Sequence, residues 1–304
     1  MSKLIIIGDI HLTDNKAKLI QCRHVFDYIL NNYNNNEYLF LGDVFDTPYP
    51  NSNLIKEWLT FITRLNGKKI IITGNHDRNQ NINSLSMLEC FDDIEVIDEP
   101  TIKTICNKKW LLLPHVDNKG NIYDYYNAYL NDFDDNFDFI AHHLETDTSH
   151  FSEKFVDLSK YRNKCEILGG HIHTKTTGYL GSVCKTSSAE KNDVKYIAIF
   201  DSNKINYEAI PSFLEYKSIN YPEKINNDDL SNNIIWTINN APSKSIVLDY
   251  YKNIVINKVV LQDTIVNNTK LLNNDDNEHD YFNDFILENK IDNKIVDKCM
   301  EILK

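Results

Sequence analysis

The chain has 304 residues, 42% of them hydrophobic and 11% aromatic, enough to bury the core of one large domain with a smaller appendage. Its formal net charge of −12 excludes capture of a polyanion by the overall field, so contact with nucleic acid would need a local basic or metal-rich patch, or a partner. The apolar run Leu4–Ile7 is too short for a secretory leader, no stretch approaches the ~20 apolar residues of a membrane span, and the cysteines are scattered with no close pair; together these predict a reduced, cytoplasmic setting without a membrane.

Leu4–Ile7 has the continuous apolar pattern of a strand buried on both faces, and it ends in Gly8-Asp9-Ile10-His11. From Lys18 to Leu30, apolar residues at 19, 22, 26, 29 and 30 make a helical stripe. Tyr38–Leu41 reads as a second strand, ending in Gly42-Asp43. Ser52 is placed to cap a helix that presents Leu54, Ile55, Trp58, Leu59, Ile62 and Leu65 on one face. Ile70–Ile72 then leads into Thr73-Gly74-Asn75-His76-Asp77. Beyond Lys109 the expected strands crowd together: Trp110–Leu113, Phe137–Ala141 ahead of His142-His143, Ile167-Leu168 ahead of Gly169-Gly170-His171, and Thr177–Leu180. Tyr196–Phe200 and Ile205–Ile210 flank Asp201-Ser202-Asn203-Lys204, the pattern of a hairpin turn. Alternating strands and helices followed by closely spaced strands predict an α/β domain of two packed sheets with helices outside. Pro211 marks a boundary between a catalytic domain over 1–210 and a small α+β appendage over 211–304, expected to cap the site or bind a partner. Within the appendage, strands are expected at Ile234–Ile238, Ser245–Leu248 and Ile254–Leu261, and helical patterns run from Tyr281 to Leu303.

Five of the strand ends carry metal-type ligands: Asp9 and His11, Asp43, Asn75, His142, and His171 with His173. That set holds two carboxylates, four imidazoles and one amide oxygen, more than one four-coordinate ion can use. Two ions sharing a carboxylate can use them all, and Asp43, the lone carboxylate at its strand end, is the natural bridge. The mixed nitrogen and oxygen set suits manganese, iron or zinc better than magnesium or calcium. In D-x-H and H-x-H an extended backbone points both side chains to one side. His76 is the expected non-ligand catalytic group, an acid or a stabiliser of phosphate oxygens, with Asp77 holding its ring. Asp46, His115 and His143 are candidates for supporting places around the cleft.

The ordered set Gly8-Asp9-x-His11, Gly42-Asp43-x-x-Asp46, Gly74-Asn75-His76-Asp77, His142 and Gly170-His171-x-His173 resembles the calcineurin-like metallophosphoesterase superfamily across about residues 4 to 210. The resemblance implies a four-layer fold, two packed β-sheets flanked by helices, with a dinuclear centre. It implies one metal on Asp9, His11, Asp43 and His173, a second on Asp43, Asn75, His142 and His171, and His76 with Asp77 as the catalytic pair. Narrower strings are similar to the SbcD-type DNA repair exonuclease subunit and its phage and viral counterparts: Gly42-Asp43-Val44-Phe45-Asp46-Thr47, Ile72-Thr73-Gly74-Asn75-His76-Asp77, and Gly169-Gly170-His171-Ile172-His173 followed by Gly181-Ser182 and Glu190. That likeness implies a manganese-dependent DNA exo- and endonuclease, a homodimer, and an SbcC-type coiled-coil ATPase as partner. A phosphoprotein phosphatase or cyclic-nucleotide phosphodiesterase of the same superfamily is the alternative.

Overall fold

A computed structural model of the chain describes residues 3–267, apart from positions 81, 118, 133–135, 150–152, 226–233, 252–253 and 262–264. The helical pattern expected from Tyr281 to Leu303 lies outside the described residues.

The apolar runs form β1 (Leu4–Ile7), β2 (Glu37–Phe40) and β3 (Lys69–Ile72), joined by α1 (Lys16–Tyr33) and α2 (Ser52–Ile62). Asn15 and Asn51 cap the two helices, each side chain accepting a first-turn N–H, so Ser52 is the first helical residue and not the cap. After β3 come a short ribbon of β4 (Arg78–Asn79) with β5 (Ile82–Asn83), then β6 (Ile94–Ile97), β7 (Thr101–Ile105), β8 (Lys108–Leu113), α3 (Ile122–Asn131), β9 (Phe139–His142) and β10 (Glu166–Gly169). β11 (Lys195–Asp201) and β12 (Lys204–Ile210) make the expected hairpin, with Ser202 and Asn203 both at positive φ as a two-residue turn requires. Thr177–Leu180 is not a strand; only isolated bridges through Tyr179 to Gly169 and Thr176 form there.

Two sheets result. The larger runs β12-β11-β1-β2-β3-β6, with β1, β2, β3 and β6 mutually parallel. The smaller runs β10-β9-β8-β7, with β8, β9 and β10 parallel. Alternation along the strands sorts the side chains into layers. Leu4, Ile6, Leu39, Leu41, Ile70 and Ile72 meet Trp110, Leu112, Phe139 and Ala141 between the sheets. The intervening residues Ile5, Ile7, Tyr38, Phe40 and Ile71 pack outward on α1 and α2. Leu111, Leu113 and Ile140 face the other way, onto Tyr126 and Leu130 of α3. The order helix, sheet, sheet, helix is the four-layer α/β arrangement expected of a metallophosphoesterase.

A third sheet, β13-β14-β15-β16, is built from β13 (Glu215–Asn220), β14 (Ile234–Ala241), β15 (Val255–Leu261) and β16 (Ile265–Asn267). Ser245–Leu248, expected as a strand, lies in α4 (Lys244–Tyr250). β14 and β15 are parallel, so the chain must cross over between them, and Ser243 starts the crossover helix by accepting the Ile246 N–H. Leu214 and Ile235 pack on Ala17 of α1. Among the described residues no helix is long and apolar enough to cross a membrane.

Trp110 is fully buried between the two main sheets, stacked on Phe139 with centroids 4.3 Å apart. Trp110→Ala should destabilise the fold by about 3–5 kcal/mol. Urea unfolding followed by circular dichroism measures this; an unchanged midpoint would mean the inter-sheet layer does not hold the domain together.

Candidate metal centre

The parallel strands β1, β2 and β3 of one sheet, and β9 and β10 of the other, release their loops at a common edge. Hydrogen bonds between the loops, within the larger sheet and across to the smaller one, lock them together. The Asp43 carbonyl accepts the N–H groups of Ile10 and His11, at 3.0 and 2.9 Å. The Asp9 carboxylate accepts the His171 N–H, at 2.8 Å to its nearer oxygen. The Asp43 carboxylate accepts the His76 N–H at 2.8 Å. His11, Asp43 and His171 all adopt positive φ, at 50°, 48° and 75°, a conformation that L-residues occupy at a cost. Two glycines make the approach possible. A Cβ on Gly74 would lie 2.1 Å from Asp43 Oδ1, and one on Gly170 would lie 2.4 Å from Asp9 Oδ1.

Hydrogen bonds from the outer nitrogens of three histidines decide which atom faces inward. His143 Nδ1 donates to the Leu41 carbonyl at 2.6 Å, which turns Nε2 toward Asp43 Oδ2 at 3.2 Å and Asn75 Oδ1 at 3.1 Å. His11 Nδ1 donates to Asp46 Oδ1 at 3.1 Å, and its Nε2 faces Asp43 Oδ2 at 3.4 Å. His173 Nδ1 meets the Thr186 hydroxyl at 2.7 Å, leaving Nε2 3.8 Å from Asp9 Oδ2. His171 Nδ1 lies 2.9 Å from Asn75 Oδ1.

These donors fit divalent ions. The inner nitrogens of His11 and His173 face each other at 3.0 Å, although each ring already directs its other nitrogen at an outer partner. Such a pair needs a proton or a cation between its lone pairs. Two ligands about 2.1 Å from one ion stand about 3.0 Å apart at right angles and about 3.4 Å apart at the tetrahedral angle, and the separations around His11 and His143, 3.0 to 3.4 Å, fall in that range. Asp43 Oδ2 touches donors of both halves, His11 and His143, as a bridging carboxylate must. Ligand atoms of Asp9, His11 and His173, of His11, Asp43 and His76, and of Asp43, His143 and His171 each lie within 4.8 Å of one another.

The electrostatics show how tightly this charge is packed without metal. Burial works against a charged His143, yet the Asp43 and Asp9 carboxylates outweigh it and push its pKa up to about 10. Asp43 shows the reciprocal effect: burial would raise it, and His143 and His11 hold it well below the usual carboxylate range. Burial raises Asp9, and His143 offsets only part of that rise. His171 is pulled down to about 3 by burial and by the charge of His143.

The structure brings Asp9, His11, Asp43, Asn75, His171 and His173 to one cluster. It does not bring His142, and this corrects the expected ligand set. His142 is the last residue of β9 and turns away from the cluster, edge-on to Tyr179 at 5.1 Å and against Gly169, with its pKa lowered to about 3 by burial. His143, expected only in support, stands in its place. The signal was available in β9: Phe139 and Ala141 face between the sheets, and the period-2 continuation of that line is 143. Asp77 also differs from expectation. It is fully buried, and its carboxylate accepts the N–H groups of Gly74 at 3.0 Å and Phe45 at 3.2 Å, tying two ligand loops together and leaving the His76 ring to others. Burial and the nearby Asp43 raise its pKa to about 6. The His76 ring is held by the Asp46 backbone carbonyl, 3.0 Å from Nδ1, and lies edge-on to His11. His115 pairs with Asp117 at 3.5 Å; burial and the charge of His143 lower its pKa. Thr186 and Lys195, behind His173, carry no motif of their own that the sequence would reveal, and Glu190 stands in the SbcD-like string with no role readable from sequence.

Two outcomes follow. His143→Ala should reduce bound metal below two ions per chain while His142→Ala retains both, as read by elemental analysis of folded protein; the reverse pattern would restore His142 as the ligand. Metal must also displace the proton that His143 keeps up to about pH 10, so Mn²⁺ binding at neutral pH should release protons and strengthen as pH rises. Calorimetry in buffers of different ionisation heat reads this directly, and a buffer-independent heat would contradict it.

No curated protein matches this chain. Among solved structures, a protein of unknown function from Aquifex aeolicus is similar at 23% identity, covering 54% of this chain and 88% of that one, with a TM-score of 0.31, an overlap too loose to carry an argument. The family model described as calcineurin-like phosphoesterase matches residues 2–175, more than half of the chain and every strand end in the cluster. The chain therefore belongs to the calcineurin-like phosphoesterase family, whose chemistry is metal-dependent hydrolysis of phosphoesters.

Proposed function

We propose that the chain is a DNA phosphodiesterase of the SbcD type, using two divalent ions, manganese first among them, as a homodimer that works with an SbcC-type coiled-coil ATPase. The observation that carries this reading is the fate of the SbcD-like strings. Gly181-Ser182 and Glu190 follow His173 in the same order as in that family and pack directly behind it: the Ser182 N–H donates to the His173 carbonyl at 3.0 Å, and Glu190 approaches the His173 ring at 3.4 Å. The net charge of −12 supports a partner, since an acidic chain leaves DNA capture to another surface.

Asp9, His11, Asp43 and His173 would hold one ion, and Asp43, Asn75, His143 and His171 the other. Such ions, when bound, neutralise phosphate charge and lower the pKa of a water between them. The chain's own contribution is orientation and proton handling. The Asp46 carbonyl can only accept, so His76 Nδ1 carries the proton there, and Nε2 is the atom free to hold a second proton for phosphate oxygens or a leaving alkoxide. Asp46 serves His11 with its side chain and His76 with its backbone, which couples the ligand to the catalytic ring. Asp77 acts on neither ring; it keeps the loops of Phe45 and Gly74 in register.

His76→Asn should fold, keep both metals and lose about 10²–10⁴ in turnover, the usual cost of removing a positioned acid–base group. The substrate panel with Mn²⁺ comprises linear duplex DNA, circular single-stranded DNA, an aryl phosphodiester, a cyclic nucleotide and a phosphoprotein. Cleavage of both DNA forms is the expected result. Turnover of the phosphoprotein or cyclic nucleotide with DNA left intact would overturn the nuclease reading, and loss of a metal from the His76 variant would make that residue a ligand.

A further inference from the structure

We infer that Thr186, Glu190 and Lys195 form a positioning unit that aims His173, and that they set the affinity of the metal site made by Asp9, His11, Asp43 and His173. The inference rests on the metal-centre reading above.

The unit grips His173 at two points. The Thr186 hydroxyl donates to Glu190 Oε1, so toward His173 it acts as acceptor, and it lies 2.7 Å from Nδ1. The ring is thereby fixed in the tautomer with hydrogen on Nδ1 and a lone pair on Nε2, the nitrogen that faces His11 and Asp9. Lys195 holds the backbone of the same residue: its Nζ donates to the His173 carbonyl at 2.9 Å, to Ser182 Oγ at 3.0 Å and to Glu190 Oε2 at 2.6 Å. Ring orientation and main-chain position are set by one hydrogen-bonded group.

A simple salt bridge does not account for this arrangement. Glu190 and Lys195 are 6% and 7% exposed, and a buried ion pair can cost more in desolvation than it returns. A pair kept for stability alone would not need to direct both members onto a single histidine. Glu190 accepts further bonds from the Thr186 N–H and the Ser187 hydroxyl, so its side chain has no freedom to relax if one partner is lost. The other inward-facing rings use different anchors: His11 a partly exposed carboxylate, Asp46, and His143 a backbone carbonyl, Leu41. Only His173 is served through a hydroxyl placed between ring and carboxylate. That relay passes the electron-donating effect of Glu190 to the imidazole.

Loss of such an outer partner typically weakens a metal site about 10–100-fold. The test is Mn²⁺ titration of the full chain, following free Mn²⁺ by electron paramagnetic resonance. Wild type should bind two ions. Thr186→Val, nearly equal in shape, should bind one ion normally and the other about 10–100-fold more weakly, and Thr186→Ser should restore it. Glu190→Gln should resemble Thr186→Val. Two wild-type isotherms in a folded Thr186→Val chain would overturn the positioning role alone. Equal weakening of both ions, unrescued by Ser, would overturn it too, because a general structural defect would then explain the loss. A wild-type chain that binds no Mn²⁺ would instead overturn the metal-centre reading and this inference with it.

Discussion

Three carboxylates, those of Asp9, Asp43 and Asp77, are buried together at one edge of the fold, and the geometry around them follows from the need to compensate that charge. An isolated buried carboxylate is costly enough that it takes up a proton or finds partners. Asp77 takes backbone N–H groups from two loops, and its pKa near 6 shows that these only partly offset burial and the repulsion of Asp43. Asp43 takes histidines, and Asp9 takes a histidine N–H and the field of His143. Divalent cations at the centre would complete the balance that the proton on His143 holds without them.

The same constraint explains why the loops are strained and interlocked. His11, Asp43 and His171 sit at positive φ because the backbone must turn sharply to place carboxylate and imidazole within about 3 Å of each other. The cost is carried by a frame in which two sets of parallel strands end at a common edge and bury a continuous apolar layer between them. Rigid elements hold the donors, and outer hydrogen bonds to Leu41, Asp46 and Thr186 set the rings, so the inward nitrogens are positioned before any ion arrives. His76 stands at the margin of this array, tied to Asp43 through its N–H and to Asp46 through its ring, where it can act on a bound phosphate without being consumed as structure.

Much of this was legible in the sequence because the signals are local. A short apolar run followed by Gly and Asp marks a buried strand and the ligand at its end, and the runs at 4–7, 38–41 and 70–72 all became strands of the larger sheet. His142 is the first histidine after the apolar run of β9, but the alternation of that strand carries its inter-sheet face from Phe139 and Ala141 on to 143. Sequence adjacency pairs Asp77 with His76, whereas its hydrogen-bond partners are Phe45 in a different loop and Gly74. Ser245–Leu248 reads as a short apolar strand until the parallel pairing of β14 and β15 demands a crossover. β6 and β7 carry no continuous apolar run in sequence, and β7 is half-exposed along its length. The Thr186, Glu190 and Lys195 cluster is built from residues 13, 17 and 22 positions beyond His173, linked only by the fold. Contacts across that distance leave no periodic trace.

The central claim is a centre of two ions bridged by Asp43, with His143 as a ligand. Anomalous diffraction at the manganese edge, from crystals grown with Mn²⁺, tests it most directly. The account predicts two peaks, both about 2 Å from the Asp43 carboxylate, one also bound by His11 and His173 and the other by His143 and His171. A single peak, or a second peak on His142 with His143 unliganded, would contradict it.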